Sequence, residues 1–261
     1  MIKPEKYKTQ SKPVSFKGYS GGLLEGTLDF PLDIEPFQYA IISHCFTCTR
    51  QTLTGARLSR GLAQAGVACL RFDFTGLGDS EGSFADTNFS SMIADIECAA
   101  EFLADYYQPP RLLLGHSMGG TASLAASQTK SRGLLQVRKL VTLASPAYPA
   151  HVLHHFGTAM ALLEQGLDAE IMVAGQAYPV KPGFIEDVRG FDMQLRMKDC
   201  DLPVLAVRAG EDSLIGPQAA EQIMALTQGE SQLLQIDGAD HLFSNRNHAE
   251  QLLSEVVQWV V

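Results

Sequence analysis

Short apolar runs alternate with amphipathic helical patterns along most of this chain, and that rhythm limits it to one architectural class. Residues 39–43, 67–72, 111–114, 140–144, 203–207 and 233–236 each read as a buried strand. Between the first two, residues 52–65 carry a helical pattern that Gly66 closes. Phe89, Met92, Ile93, Ile96, Ala100 and Leu103 then recur at three- and four-residue steps, one face of a second helix. Residues 121–128 form an Ala-rich helix, and Ala249, Leu252, Leu253, Val256, Val257 and Val260 mark a closing one. Apolar strands joined by helices predict an α/β protein, with about eight mostly parallel strands and helices on both faces. Residues 14–17 and 23–28 flank a Gly-rich turn and predict a hairpin on the sheet edge.

Residues 146–201 break the rhythm. They show several short helical patterns and no clear strand, and the stretch is too long for an ordinary loop. We expect a small helical cap inserted into a single domain of residues 1–261. A chain of 261 residues, 46% of them hydrophobic, buries enough core to fold without a metal or a disulfide. Its net charge of −9 speaks against a nucleic-acid backbone or an anionic membrane surface as partner. No apolar run is long enough to span a bilayer. Met1-Ile2-Lys3-Pro4-Glu5-Lys6 has no apolar stretch behind its charges, so no secretory signal is expected. Five scattered cysteines then read as reduced thiols of a cytoplasmic protein.

The pattern Gly-x-Ser-x-Gly, which can mark a strained strand-to-helix turn bearing a serine nucleophile, occurs three times. Ser20 falls in the hairpin turn, and Ser80 in a polar loop well before its helix. Only Ser117, in Gly115-His116-Ser117-Met118-Gly119, follows an apolar strand directly and opens a helix directly. Its glycines suit a site where Cβ atoms at 115, 119 and 120 would clash.

A serine hydroxyl needs a base, and in such a turn the acid and the histidine follow the serine in chain order. Asp212 follows the strand at 203–207; Glu211 is the competing carboxylate, and the apolar Leu214-Ile215 step favours Asp212. His241 follows the strand at 233–236, whereas His248 lies within the last helix. Met118 N–H, directly after the nucleophile, and Phe46 N–H, in the loop after the strand at 39–43, are the expected oxyanion donors. His44 is expected to brace that loop. Asp73 precedes the serine, the wrong order for the acid, and is read as structural.

These residues together resemble the α/β-hydrolase superfamily over nearly the whole chain. His44-Cys45-Phe46-Thr47-Cys48, Arg71-Phe72-Asp73-Phe74-Thr75-Gly76-Leu77-Gly78, Asn88-Phe89-Ser90-Ser91 and Gly238-Ala239-Asp240-His241-Leu242 are similar to the hydrolase half of bacterial proteins fused to an OsmC-like domain. The resemblance departs at the C-terminus: the sequence stops at Val261 after the last expected helix without an OsmC-like segment, as expected either of a stand-alone relative or of a piece of a longer chain. The resemblance implies a serine hydrolase, most often a carboxylesterase acting on small acyl esters, with no cofactor and no metal. Transfer of the acyl group to peroxide or a thiol would use the same first half-reaction.

Cys45-x-x-Cys48 points elsewhere. It is expected to pack beside the oxyanion loop; a redox pair and half of a zinc site are the alternatives, and no second C-x-x-C exists to complete four zinc ligands. A redox-sensitive or partner-binding scaffold is the competing function. Were the pair to oxidise, a disulfide would be expected to distort the Phe46 donor and switch the enzyme off. In the cap, Tyr148, His151, His154, His155, Phe156 and Met160 read as a lid over an apolar pocket. His151 and His155, four apart, would share one side of a helix as metal ligands can, but no Glu stands between them in the H-E-x-x-H form, so they are read as polar residues of the lid.

Overall fold

A computed structural model describes residues 7–261, so the Met1–Lys6 stretch considered for a leader lies outside the described residues. The chain opens with β1 (Thr9–Lys17) and β2 (Leu23–Pro31), the antiparallel hairpin expected at the edge. Next come β3 (Gln38–Ser43), α1 (Leu53–Gln64), β4 (Val67–Phe72), α2 (Phe89–Tyr106), β5 (Leu112–His116), α3 (Met118–Ala126) and β6 (Lys139–Leu143). After a long insertion follow β9 (Val204–Ala209), α7 (Ala219–Ala225), β10 (Ser231–Ile236) and α8 (Arg246–Val260). The eight-stranded sheet has the order β1-β2-β4-β3-β5-β6-β9-β10, antiparallel at β1, β2 and β4 and parallel beyond.

Both faces are covered because the strands are apolar on both sides. All six residues of β4 are buried. On one face Leu58 and Leu62 of α1 meet Leu252, Val256 and Val260 of α8 over Ile42, Leu114 and Val207. On the other, Phe89, Ile96 and Leu103 of α2 and Leu124 of α3 cover Ile41, Leu70 and Leu113. Each such side chain contributes about 1.5–3 kcal/mol on burial. Helix ends follow local chemistry. Gly66 takes φ +93° just past α1, as the sequence predicts for a stop. Asn88 caps α2: its side chain accepts the Ser91 amide while Ser91 Oγ accepts the Asn88 amide.

The insertion is not wholly helical, which corrects the sequence expectation. Its elements are a 3₁₀ helix (Pro149–His155), α4 (Ala159–Leu163), an antiparallel hairpin of β7 (Ala169–Val173) and β8 (Gln176–Val180), α5 (Pro182–Gly190) and α6 (Met193–Met197). Ala174 and Gly175, both at positive φ, form the two-residue turn. Only Ile171 and Val180 of the hairpin are buried, so it lacks the apolar run that announced the other strands. With three residues per 3₁₀ turn, His151 faces His154 (ring centroids 4.8 Å apart) rather than His155. Phe156, Leu163, Ile171, Val180, Phe184 and Val188 join the α2–α3 core, so the insertion is packed onto the sheet. Among the described residues no helix is long and apolar enough to cross a membrane.

Candidate active site

Strand order explains why the expected site residues lie at one edge of the sheet, the carboxyl-terminal one. The chain runs from β3 outward to β4 and then returns to β5, so the loops after β3 and β5 leave the sheet in opposite directions. A crevice forms at such a reversal. Ser43 lies opposite Gly115, which sets the residue 44–48 loop level with Ser117.

Ser117 stands between β5 and α3 at φ +53°, ψ −127°. A non-glycine residue rarely adopts that backbone, and surrounding structure must hold it there. Its amide donates to Leu143 O at 2.8 Å. The flanking glycines are required by close approach. A Cβ on Gly119 would lie against the carbonyl oxygens of Ser43 and His44, and one on Gly120 against Ser145 Oγ. Both obstacles at Gly119 are backbone atoms that cannot swing aside. Gly119→Ala is therefore expected to destabilise the fold by about 3 kcal/mol or more, read as a lowered urea midpoint. Among the described residues four non-glycine residues take positive φ, and three of them, Ser117, Ala144 and Phe243, follow β5, β6 and β10 around the site.

The two other Gly-x-Ser-x-Gly serines have different positions. Ser20 is exposed in the hairpin turn. Ser80 Oγ donates to Asp73 O and accepts the Glu25 amide, a brace between loops.

His241 Nδ1 donates to Asp212 Oδ2 at 2.7 Å, which leaves Nε2 as the basic nitrogen. Asp212 Oδ1 accepts the amides of Leu214 (2.8 Å) and Ile215 (3.0 Å). Burial pushes the Asp212 carboxyl up, but these hydrogen bonds outweigh it and hold the group below its ordinary value. Glu211 is exposed. His116, unremarked in the sequence, donates from Nε2 to the His241 carbonyl at 2.8 Å, and the two rings lie 4.8 Å apart. That contact ties the His241 loop to the residue just before Ser117. It spans 125 positions, and no local pattern announces it.

The loop after β3 is braced as expected, with one correction. His44 Nδ1 donates to Cys45 O at 2.7 Å, and its Nε2 accepts the Phe74 amide at 3.2 Å. Asp73, fully buried, accepts the Arg50 amide, pairs with the Arg50 guanidinium and accepts the Asp79 amide. Cys45 and Cys48 are not reduced thiols: they form a disulfide across a tight turn closed by Cys48 N–H to Cys45 O at 3.2 Å. Phe46 sits inside that turn. Met118 opens α3, so its N–H has no partner one turn back in the helix. Among the described residues neither the Phe46 nor the Met118 amide pairs with a protein acceptor.

The insertion closes over this loop. Phe46 contacts the rings of Phe84 (5.5 Å), Phe184 (5.4 Å), His155 (6.3 Å) and Phe156 (6.5 Å). Tyr178 OH donates to Thr47 O at 3.1 Å, and His151 Nε2 donates to Leu214 O at 3.0 Å. The space beside Phe46, lined also by Phe74, Met92 and Phe184, amounts to about 10 Å³, room for one water.

Three histidines around the site are held neutral. Burial lowers His44, lowers His116 to about 4, and with neighbouring His154, His151 and His241 lowers His155 to about 4. Unfolded, each takes a proton near 6.5. The unfolded chain therefore binds more protons between those values, and the stability that these neutral groups contribute is lost as pH falls from 6.5 toward 4. Asp95, raised by burial to about 6, acts in the opposite direction in part of that window. With three groups against one, the urea midpoint is expected to be lower at pH 4.5 than at pH 7.

Comparison with known proteins agrees with this architecture. A family model described as serine aminopeptidase, S33, matches residues 49–176. The esterase domain of a Rhodothermus marinus protein is 30% identical, with a TM-score of 0.75 over 96% of this chain and 97% of that one. Est1E of Butyrivibrio proteoclasticus, solved with ferulic acid bound, shares the fold at 21% identity and a TM-score of 0.79, over 95% of this chain and 97% of its own. YfhR of Salmonella typhi, an uncharacterized protein, is 26% identical over 190 residues; the match covers 71% of this chain and 59% of that relative's length. The eight-stranded sheet, its strand order and these similarities place the chain in the α/β-hydrolase superfamily.

Proposed function

We propose that this hydrolase is a serine carboxylesterase acting on small acyl esters through an acyl-enzyme. One observation carries the reading: a serine at φ +53° on a strand-to-helix turn, preceded by His116, whose ring holds the carbonyl of a histidine that in turn donates Nδ1–H to a buried carboxylate. Ser117 attacks the ester carbonyl while His241 Nε2 takes its proton. Asp212 fixes the histidine tautomer and stabilises the imidazolium. The Phe46 and Met118 amides hold the developing oxyanion, and their lack of a protein acceptor leaves both free for it. His241 then protonates the leaving alcohol, and water repeats the sequence on the acyl-enzyme.

Residues 146–201 act as the lid of a single domain. The aromatic rings around Phe46 favour an apolar acyl group, and the narrow space beside it favours a short one until the lid shifts. The test is a panel of p-nitrophenyl esters. Turnover of acetate and butyrate well above palmitate is expected; no turnover of any ester by folded protein would refute the reading.

A further inference from the structure

A second cavity lies behind the candidate site. It has a volume of about 220 Å³ and opens between the N-terminal end of α1 and the loop after β10, where Leu53 and Leu242 stand exposed. This places it on the α1 side of the sheet, away from α3 and the insertion. Cys48 lines it; Cys45, only 6% exposed, does not. One sulfur of the disulfide therefore belongs to a residue on a cavity wall, and the other to a residue in the core.

The charged groups on the wall are paired. The lining includes Arg50 and Arg71, while their partners Asp73, Asp79 and Asp29 are not part of it. His44 and His116, also on the wall, are held neutral. Both guanidiniums on the wall are thus already paired with carboxylates, and the cavity carries no uncompensated cation. A cavity of about 150 Å³ accommodates benzene, so this one admits a molecule of cysteine's size.

We propose that Cys48 is a thiol-exchange site for small thiols, entered through this cavity independently of the ester cleft. The thiolate attacks Cys48 Sγ; a new S–S bond forms there, the Cys45–Cys48 bond breaks, and its electron pair leaves on Cys45 Sγ, which takes a proton from solvent. A second thiolate attacks the outer sulfur of the mixed disulfide. It releases the small disulfide and the Cys48 thiolate, so two electrons pass from two small thiols to the protein.

Exchange reaches the ester chemistry through Phe46. The disulfide spans the turn that contains Phe46, and His44 and Tyr178 brace the same turn through the Cys45 and Thr47 carbonyls. With the disulfide closed, the Phe46 amide has no protein acceptor. Opening the disulfide, rather than forming it, is then expected to loosen this donor, the opposite of the sequence expectation. This consequence rests on the proposed esterase; the exchange itself does not.

The probe is 3-mercaptopropionate. Brief exposure of wild type, an acid quench and peptide mass mapping should find the mixed disulfide on Cys48. An adduct on Cys45 would overturn the proposal. So would no adduct at concentrations that open a free Cys-Phe-Thr-Cys peptide. In a second measurement, Cys45→Ser, which leaves Cys48 alone, should react with the disulfide of 3-mercaptopropionate at least about tenfold faster than Cys48→Ser. Equal rates in two folded variants would also overturn it. Reduced wild type should show kcat lowered by about tenfold at unchanged KM, short of the loss from deleting an oxyanion donor. Equal kcat in both forms would remove the link to Phe46. Exchange at Cys48 in a protein without ester hydrolysis would refute the esterase and leave the exchange site standing.

Discussion

Ser117→Gly is expected to fold more tightly than the parent while losing ester hydrolysis by about 10⁴-fold or more. The two effects share one cause, the backbone at φ +53°, ψ −127°. A serine held there stores about 1–3 kcal/mol of strain. Glycine adopts the same angles freely, but its looser unfolded chain costs about 0.5–1 kcal/mol. Strain is the larger quantity, so a gain of about 1 kcal/mol should remain in a urea titration. Ser117→Ala loses the nucleophile and keeps the strain. A glycine variant less stable than the alanine variant would show that the turn is not strained. Substantial hydrolysis by either would show that the nucleophile lies elsewhere.

Asp212→Asn is expected to lower kcat by about 10³- to 10⁴-fold with little change in the fold. The size of the effect follows from which oxygen is committed. Asp212 Oδ1 already accepts the Leu214 and Ile215 amides, and Oδ2 accepts His241 Nδ1–H. An asparagine has one acceptor oxygen, and the two backbone donors claim it. Its amide N–H then points at His241 Nδ1 and forces the proton onto Nε2. The histidine becomes a donor at the position where a base is required. A steady-state assay on a short acyl ester reads the loss. A variant within tenfold of the parent would mean that Asp212 does not set the tautomer.

The residues themselves explain which parts of this account were legible in the sequence. Repeated apolar runs and three-to-four spacing predicted the parallel sheet, because strands buried on both faces cannot hide that signal. The edge hairpin and the Gly66 stop were legible from turn chemistry. Ser117 stood out from Ser20 and Ser80 because only it joins a strand to a helix, and the structure adds a strained backbone there. The β7–β8 hairpin was missed because only Ile171 and Val180 are buried, although Ala174-Gly175 marked its turn. His116 and Tyr178 act through carbonyls 125 and 131 positions away, and nothing local encodes such partners. The disulfide was misjudged from expected compartment, whereas a pair three residues apart in a closed turn already brings its Cα atoms to 5.2 Å.

The central claim is that Ser117 is an activated nucleophile, and a fluorophosphonate tests it without requiring the right ester. Intact mass is measured on wild type and on Ser117→Ala after equal exposure. The account predicts one covalent adduct on wild type and none on the variant. An adduct that persists on Ser117→Ala, or a folded wild-type protein that takes none, would contradict it.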